Sequence, residues 1–148
     1  MYTHIQTYVL IFAGFLITVA LFMTGTTMYV TNHRRQSAQQ AVETAILDAR
    51  NDNARIAPKV YALNKTKFES ELNPTSVSPN KINVYGWTKN TRISFDYLVD
   101  TQGKTALEQA GAQTNDKLYP IKAVKVKVTD TTNSKNNQVI TYVVTKDN

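Results

Sequence analysis

The sequence predicts an α+β fold in which a long N-terminal helix is followed by a small antiparallel sheet that ends in a β-hairpin. Three observations predict it: an uncharged apolar run near the start, small apolar residues at helical spacing after it, and an alternation of Val and Lys near the end. We accordingly divide the chain into an N-terminal tail and transmembrane anchor (1–32), an amphipathic helical extension (33–57) and a small α+β domain (58–148).

The anchor is the run from Val9 to Val30, which contains no charged residue and no Pro, Asn or Gln. At 1.5 Å per residue, about 20 such residues cross a hydrocarbon layer of about 30 Å. Because lipid offers no hydrogen bonds, the segment must be helical. The preceding residues lack the basic region and small-residue cleavage site of a secretory signal, so we expect an uncleaved single-pass anchor in a lipid bilayer. Gly14 and Gly25 are small enough to admit a neighbouring helix, and we place them in a helix–helix interface.

A basic flank of His33, Arg34 and Arg35 follows the anchor directly. By the positive-inside rule this flank, and with it the C-terminal domain, belongs in the cytoplasm.

The extension carries apolar residues three and four apart, which is the spacing of one helix face: Ala38, Ala41, Val42, Ala45, Ile46, Ala49 and Ile56. No Gly or Pro separates it from the anchor, so we expect one helix from about Ile5 to about Asn53. An alanine-rich face suits close packing on another helix, and we assign Ala38, Ala41, Val42, Ala45 and Ala49 to a helix–helix interface. Packing of this face on the chain's own sheet is an equal alternative.

The first part of the C-terminal domain contains shorter elements. Val60–Leu63 reads as an extended piece, and Thr66 to Glu69 has capping-box spacing that predicts a short helix over Lys67–Leu72. Large β-forming side chains predict strands over Ile82–Thr88 and Thr91–Val99. A further short helix is predicted over Thr105–Ala110.

The last part of the chain contains the clearest strand pattern. Val124, Val126 and Val128 alternate with Lys125, Lys127 and Thr129, which predicts one buried and one solvated face. After a polar loop over 131–137, Gln138–Thr145 supplies a matching face of Ile140, Tyr142 and Val144. The two segments predict a terminal antiparallel hairpin.

The chemistry of common enzymes is missing from the sequence. The chain has no Cys, and its two histidines, His4 and His33, flank a segment of bilayer length. The phosphate-binding, dinucleotide-binding, nucleophile-elbow and zinc-protease motifs do not occur. We therefore expect no catalytic residues, no metal site and no cofactor.

The net charge of +6 suits an anionic partner. Lys122, Lys125 and Lys127, with Tyr119 and Tyr142 nearby, form a possible contact for a polyanion such as DNA or an anionic wall polymer. The alternative is that these lysines protect a strand from edge-to-edge aggregation.

The layout of uncharged N-terminal helix, alanine-rich extension and small sheet with a terminal hairpin resembles the pilin-like proteins. In particular it looks like the TadE-type minor pseudopilins of tight-adherence pilus systems. The resemblance implies a non-catalytic, single-pass subunit of a bacterial surface filament or its assembly machinery, with other pilin-like subunits or copies of itself as partners. It places the C-terminal domain outside the bacterial membrane, against the positive-inside rule.

The prepilin motif of such proteins, a Gly before the cleavage site and a Glu five residues after it, does not precede the apolar run. A minor pilin or an assembly subunit fits this departure better than a major filament subunit. Two alternatives remain: a membrane-tethered binding module for DNA or an anionic wall polymer in uptake or conjugation, and a cytoplasm-facing accessory subunit of a secretion or transfer complex.

Overall fold

The computed structural model describes residues 2–51, 61–76, 81–102 and 118–144. The chain forms two compact units, Met1–Arg34 and Arg35–Asn148. The helices are α1 (Tyr2–Ala49) and α2 (Lys65–Leu72), and a short 3-10 helix covers Ser134–Asn136. The strands are β1 (Arg50–Asn51), β2 (Tyr61–Asn64), β3 (Thr91–Val99), β4 (Leu118–Asp130) and β5 (Gln138–Val143). A long N-terminal helix followed by a small antiparallel sheet confirms the α+β class.

The sheet is organised around β4, which pairs antiparallel with three other strands. β3 lies along one edge of β4, and β2 and β5 lie one after the other along the opposite edge. β1 extends the sheet beyond β2. The predicted hairpin is confirmed, because β5 pairs with β4 in a register that places Tyr142 opposite Val124 and Ile140 opposite Val126.

The core of the second unit lies between one face of this sheet and the two helices. From the sheet, Val124, Val126 and Val128 are buried as the alternation predicts, because each points to the same face of β4. Phe68 of α2 packs edge-on against Phe95 of β3, with the ring centroids 5.4 Å apart. The second half of α1 contributes its small apolar residues to the same core: Ala38, Ala41, Val42, Ala45, Ile46 and Ala49.

Two predicted helix ends are wrong. α1 ends at Ala49 and not near Asn53, because Arg50 and Asn51 leave the helix to pair with Leu63 and Ala62 as β1. α2 is capped by Asn64 and not by Thr66, since the Asn64 side chain accepts the Lys67 N–H at 3.0 Å. An asparagine whose oxygen reaches the third helical amide satisfies that orphan donor as well as a capping box would.

The strand predicted over Ile82–Thr88 is also wrong. This segment contains a turn in which the Trp87 N–H donates to the Val84 carbonyl and Gly86 has a φ of 81°. A positive φ is accessible to Gly at little cost, and it ends any extended run at that point. The strand predicted over Thr91–Val99 is confirmed as β3. The helix predicted over Thr105–Ala110, together with Ile56, Val60 and Thr145, lies outside the described residues.

Candidate functional site

The first unit is a helix whose apolar side chains are exposed on every side. Leu16 is 51% exposed and Phe22 is 73% exposed, although both are among the most apolar residue types. In the part of the chain that the structure describes, this is the one helix long and apolar enough to cross a membrane, and its most apolar window is not buried. An apolar surface of this extent is compatible with a membrane anchor.

The threonines of this segment are satisfied by their own helix. Thr18 Oγ1 donates to the Gly14 carbonyl at 2.9 Å, and Thr27 Oγ1 donates to the Met23 carbonyl at 2.8 Å. Bonds of this kind remove the hydroxyl from competition for other partners. These threonine hydroxyls are therefore compatible with an apolar environment and require no neighbouring helix.

Gly14 and Gly25 leave two open positions on the helix surface. A Cβ atom built on either glycine would meet nothing within 4 Å. The glycines are therefore not required by contacts within the described chain. Their assignment to a helix–helix interface stays a prediction, and the space for a second helix is present at both.

The basic flank begins where the first unit ends. The His33 ring stacks on Tyr29, one helical turn earlier, with centroids 6.0 Å apart and planes 7° apart. Arg34 is half-buried, whereas Arg35 is exposed. A cationic and aromatic group next to an apolar helix is typical of the boundary between lipid and water.

The alanine-rich face of α1 is packed inside its own unit. Ala38, Ala45 and Val42 are completely buried, and Ala41 and Ala49 are 4% exposed. The assignment of these five residues to an interface between subunits is corrected here, since their surface is already covered. The intramolecular alternative describes them, because an alanine face lets the helix backbone approach the sheet closely.

The lysines of β4 lie in two different environments. Lys122 Nζ forms an ion pair with Asp100 Oδ2 at 2.7 Å, beside a β-bulge that shifts the register between Leu98 and Val99. Lys125 and Lys127 are exposed on the solvated face of the sheet, opposite Asp96 and Ser94 respectively.

The two tyrosines near these lysines point to the other face of the sheet. Lys65 Nζ lies over the Tyr119 ring, 3.8 Å from the ring centroid, and Tyr142 Oη donates a hydrogen bond to Glu43 Oε1 at 3.4 Å. Stacking of nucleic-acid bases needs aromatic rings on the same surface as the cations. The structure therefore does not bring together the parts of the predicted polyanion contact.

A groove that sequence reasoning missed lies between the end of α2 and the start of β3. We call it the α2–β3 groove, and its volume is about 410 Å³. α2 and the residues after it contribute Glu69, Asn73 and Thr75 to its lining, and β3 with the residues before it contributes Lys89, Arg92 and Phe95. A second cavity of about 230 Å³ adjoins it at Pro74 and Lys89 and contains Trp87, the only tryptophan. A signal was present in the cations and aromatics between residues 87 and 95, but it does not identify the residues that α2 contributes.

Contacts at the base of the groove fix the position of its acidic group. Tyr97 Oη donates a 2.6 Å hydrogen bond to Glu69 Oε1. Burial, followed by this hydrogen bond, raises the pKa of the Tyr97 hydroxyl well above its ordinary value. The tyrosine thus remains a donor at neutral pH and holds the Glu69 carboxylate in place.

A second carboxyl group, Glu71, lies in the core next to the end of α1. Its side chain is 1% exposed, and it forms an ion pair with Lys67 Nζ at 3.9 Å. Burial raises the pKa of Glu71, the Lys67 ammonium lowers it, and the Asp48 carboxylate raises it further. Among the described residues, no group of three or more His, Cys, Asp or Glu side chains is placed to hold a metal ion.

Comparisons with the models of known protein families, with curated proteins and with solved structures found no match to this chain.

Proposed function

We propose that this protein is a non-catalytic, single-pass membrane subunit of a pilin-like assembly, anchored and assembled through the first part of α1. The observation that carries the proposal is the division of α1 into two different surfaces. Its described residues before Arg34 expose apolar side chains in all directions, whereas between Ala38 and Ala49 one face of the helix is buried against a small antiparallel sheet and the opposite face is exposed.

The division separates two tasks that one helix would perform. The alanine-rich face of the second half is not available to another subunit, since Ala38, Val42 and Ala45 are fully covered. The exposed half has an uncovered apolar surface with open positions at Gly14 and Gly25. Small residues of this kind allow helices to pack closely in lipid, where van der Waals contact replaces the hydrophobic effect. Assembly through the first half fits these two observations.

Cysteine cross-linking tests the proposal directly, because the chain contains no Cys. Single cysteines are introduced in turn at positions 10 to 21 of the full chain, and native membranes are oxidised. If copies pack through this segment, cross-linked dimers recur every three or four positions and include position 14. The positions between the maxima are the matched controls, since they lie within one helical turn of a maximum, at nearly the same depth, in a protein at the same concentration.

Uniform or absent cross-linking along the segment would contradict assembly through α1. The tethered binding module would then be the better description. Orientation is tested by Ser94→Cys, because Ser94 is exposed on the sheet. Labelling by a membrane-impermeant maleimide in intact cells supports an extracytoplasmic domain, whereas protection until the membrane is opened supports the cytoplasm-facing accessory subunit.

A further inference from the structure

We propose that the α2–β3 groove binds an acidic sugar, meaning a hydroxylated ring that carries a carboxylate or a phosphate. This site is a second activity of the protein, and it does not depend on how the chain is assembled or oriented. Its volume of about 410 Å³ falls within the roughly 300–1,000 Å³ typical of small-molecule pockets.

The cations of the groove point to an anionic ligand. Lys89 and Arg92 both line the groove and are exposed, and neither forms an ion pair within the described ranges of the chain. Lys122 and Lys67, by contrast, each have a carboxylate within 4.0 Å. An anion bound between Lys89 and Arg92 would accept charge-assisted hydrogen bonds, which are stronger than those between neutral groups.

The lining that α2 contributes excludes a ligand that is only anionic. Glu69 contributes a carboxylate there, and its Oε1 atom is fixed by the Tyr97 hydroxyl. A second carboxylate would repel a polyphosphate, but it accepts hydrogen bonds from hydroxyl groups. A ligand that satisfies both parts of the lining must carry a negative charge at one end and hydroxyls at the other.

The remaining surfaces of the groove fit the rest of a sugar. Phe95 is partly exposed there, and its ring is held by edge-on contact with Phe68. An aromatic face of this kind packs against the C–H groups of a sugar ring. Asn73 and Thr75 add polar atoms at the rim, and their geometry is set because Asn73 Oδ1 accepts from both the Thr75 N–H and the Thr75 hydroxyl at 3.0 and 2.9 Å. The groove therefore combines cations, an acceptor and an apolar surface.

Trp87 provides the measurement, since it is the only tryptophan and lies in the cavity that adjoins the groove at Lys89. The full chain in detergent micelles is titrated with trigalacturonic acid while tryptophan fluorescence is recorded. Galactotriose serves as the neutral probe and tripolyphosphate as the anion without a sugar. We expect a saturable change with trigalacturonic acid, and binding at least about tenfold weaker for each of the other two.

The matched variants are Lys89→Gln and Arg92→Gln, compared with Lys125→Gln and Lys127→Gln on the open face of the sheet. We expect about tenfold weaker binding for the first two and no change for the second two. Glu69→Gln should weaken the binding of trigalacturonic acid. It should also reduce the difference in affinity between trigalacturonic acid and tripolyphosphate. The proposal is overturned if trigalacturonic acid gives no saturable change in fluorescence, or if tripolyphosphate binds equally well. It is also overturned if the two groove variants and the two control variants lose the same amount of affinity.

Discussion

The Lys67 ammonium donates a 2.6 Å hydrogen bond to the backbone carbonyl of Asp48, one residue before the end of α1. The last carbonyls of a helix lack partners within the helix and carry partial negative charge, so a cation there is favourable. The same ammonium forms an ion pair with the buried Glu71 carboxyl at 3.9 Å. One side chain of α2 thus joins α2 to the end of α1.

Replacement of Lys67 by Met should lower the free energy of unfolding by about 1 kcal/mol, because it removes the helix-end hydrogen bond while it keeps the apolar stem. Denaturant unfolding of the full chain in micelles, followed by Trp87 fluorescence, measures the change. Lys127→Met is the control, since Lys127 is exposed and lies opposite Ser94 and Val139. Equal effects of the two substitutions would show that the contact with Asp48 contributes nothing.

Glu71 makes the stability of the second unit depend on pH. The pKa of Glu71 is raised in the folded state, so its protonated carboxyl group contributes to the free energy of unfolding. This contribution is fully present below the ordinary pKa of 4.5, and it is lost as the pH rises through the folded-state pKa. Glu71→Gln cannot ionise, so the variant should gain stability relative to the unmodified protein as the pH rises above the ordinary value of 4.5. Unfolding curves at several pH values measure this difference.

The control for this pH dependence is Gln39→Leu, which changes an exposed position of α1 and no ionisable group. Its stability profile should run parallel to that of the unmodified protein. A parallel profile for Glu71→Gln as well would contradict the assigned role of Glu71.

Ala45 tests where the alanine-rich face is packed. Since Ala45 is fully buried, Ala45→Leu should destabilise the second unit by about 1–3 kcal/mol through overpacking. Gln39→Leu places the same side chain on an exposed position of α1 and should change stability by less than about 0.5 kcal/mol. Thermal unfolding followed by near-ultraviolet circular dichroism distinguishes them. If Ala45→Leu leaves the thermal unfolding transition unchanged but reduces cross-linking between copies, the alanine-rich face would instead be assigned to the interface between subunits.

Val126 and Lys127 test the two faces of β4. Val126→Asp places an unpaired charge in the core and should cost at least about 3 kcal/mol, or abolish folding. Lys127→Asp should be tolerated, because its cross-strand neighbours Ser94 and Val139 carry no charge. Lys125 is a poorer control, since Asp96 lies opposite it and an added carboxylate would create repulsion. Similar losses of the tryptophan fluorescence transition in both variants would refute the assigned faces.

The sequence was sufficient for the elements whose pattern is local. The alternation of Val124, Val126 and Val128 predicts β4 and its buried face, because a side-chain period of two has one interpretation when one face is charged. The apolar run predicts the first part of α1 for a similar reason, since in lipid an apolar segment of that length must be a helix.

Features that depend on distant partners were not predictable. α1 ends at Ala49 because β1 pairs with β2, and no residue at that point breaks a helix by itself. The α2–β3 groove joins Glu69 to Arg92, which are far apart in the sequence and carry opposite charges that appear ordinary in isolation.

Tyr142 faces away from Lys125 as the pleat of the hairpin predicts, since it lies opposite Val124. Tyr119 would share a face with Lys125 in a regular strand, and it reaches the core face because the β-bulge between Ile121 and Ala123 reverses the alternation, which the sequence pattern does not show.

The position of β4 in the chain sets a delay during synthesis. β4 begins at Leu118, about 70 residues after α1 ends. At an elongation rate of about 5–20 residues per second, roughly 4–14 s pass between the synthesis of α1 and that of β4, the central strand of the sheet on which α1 packs. During that interval the uncovered stripe of α1 presents four alanine methyl groups and the side chains of Val42 and Ile46, which leave a chaperone or a neighbouring nascent chain less apolar area to bind than six large side chains would. A stripe of leucine or phenylalanine would be far more adhesive over the same seconds. Small side chains at this place thus reduce unwanted association during synthesis and also allow close packing in the folded protein.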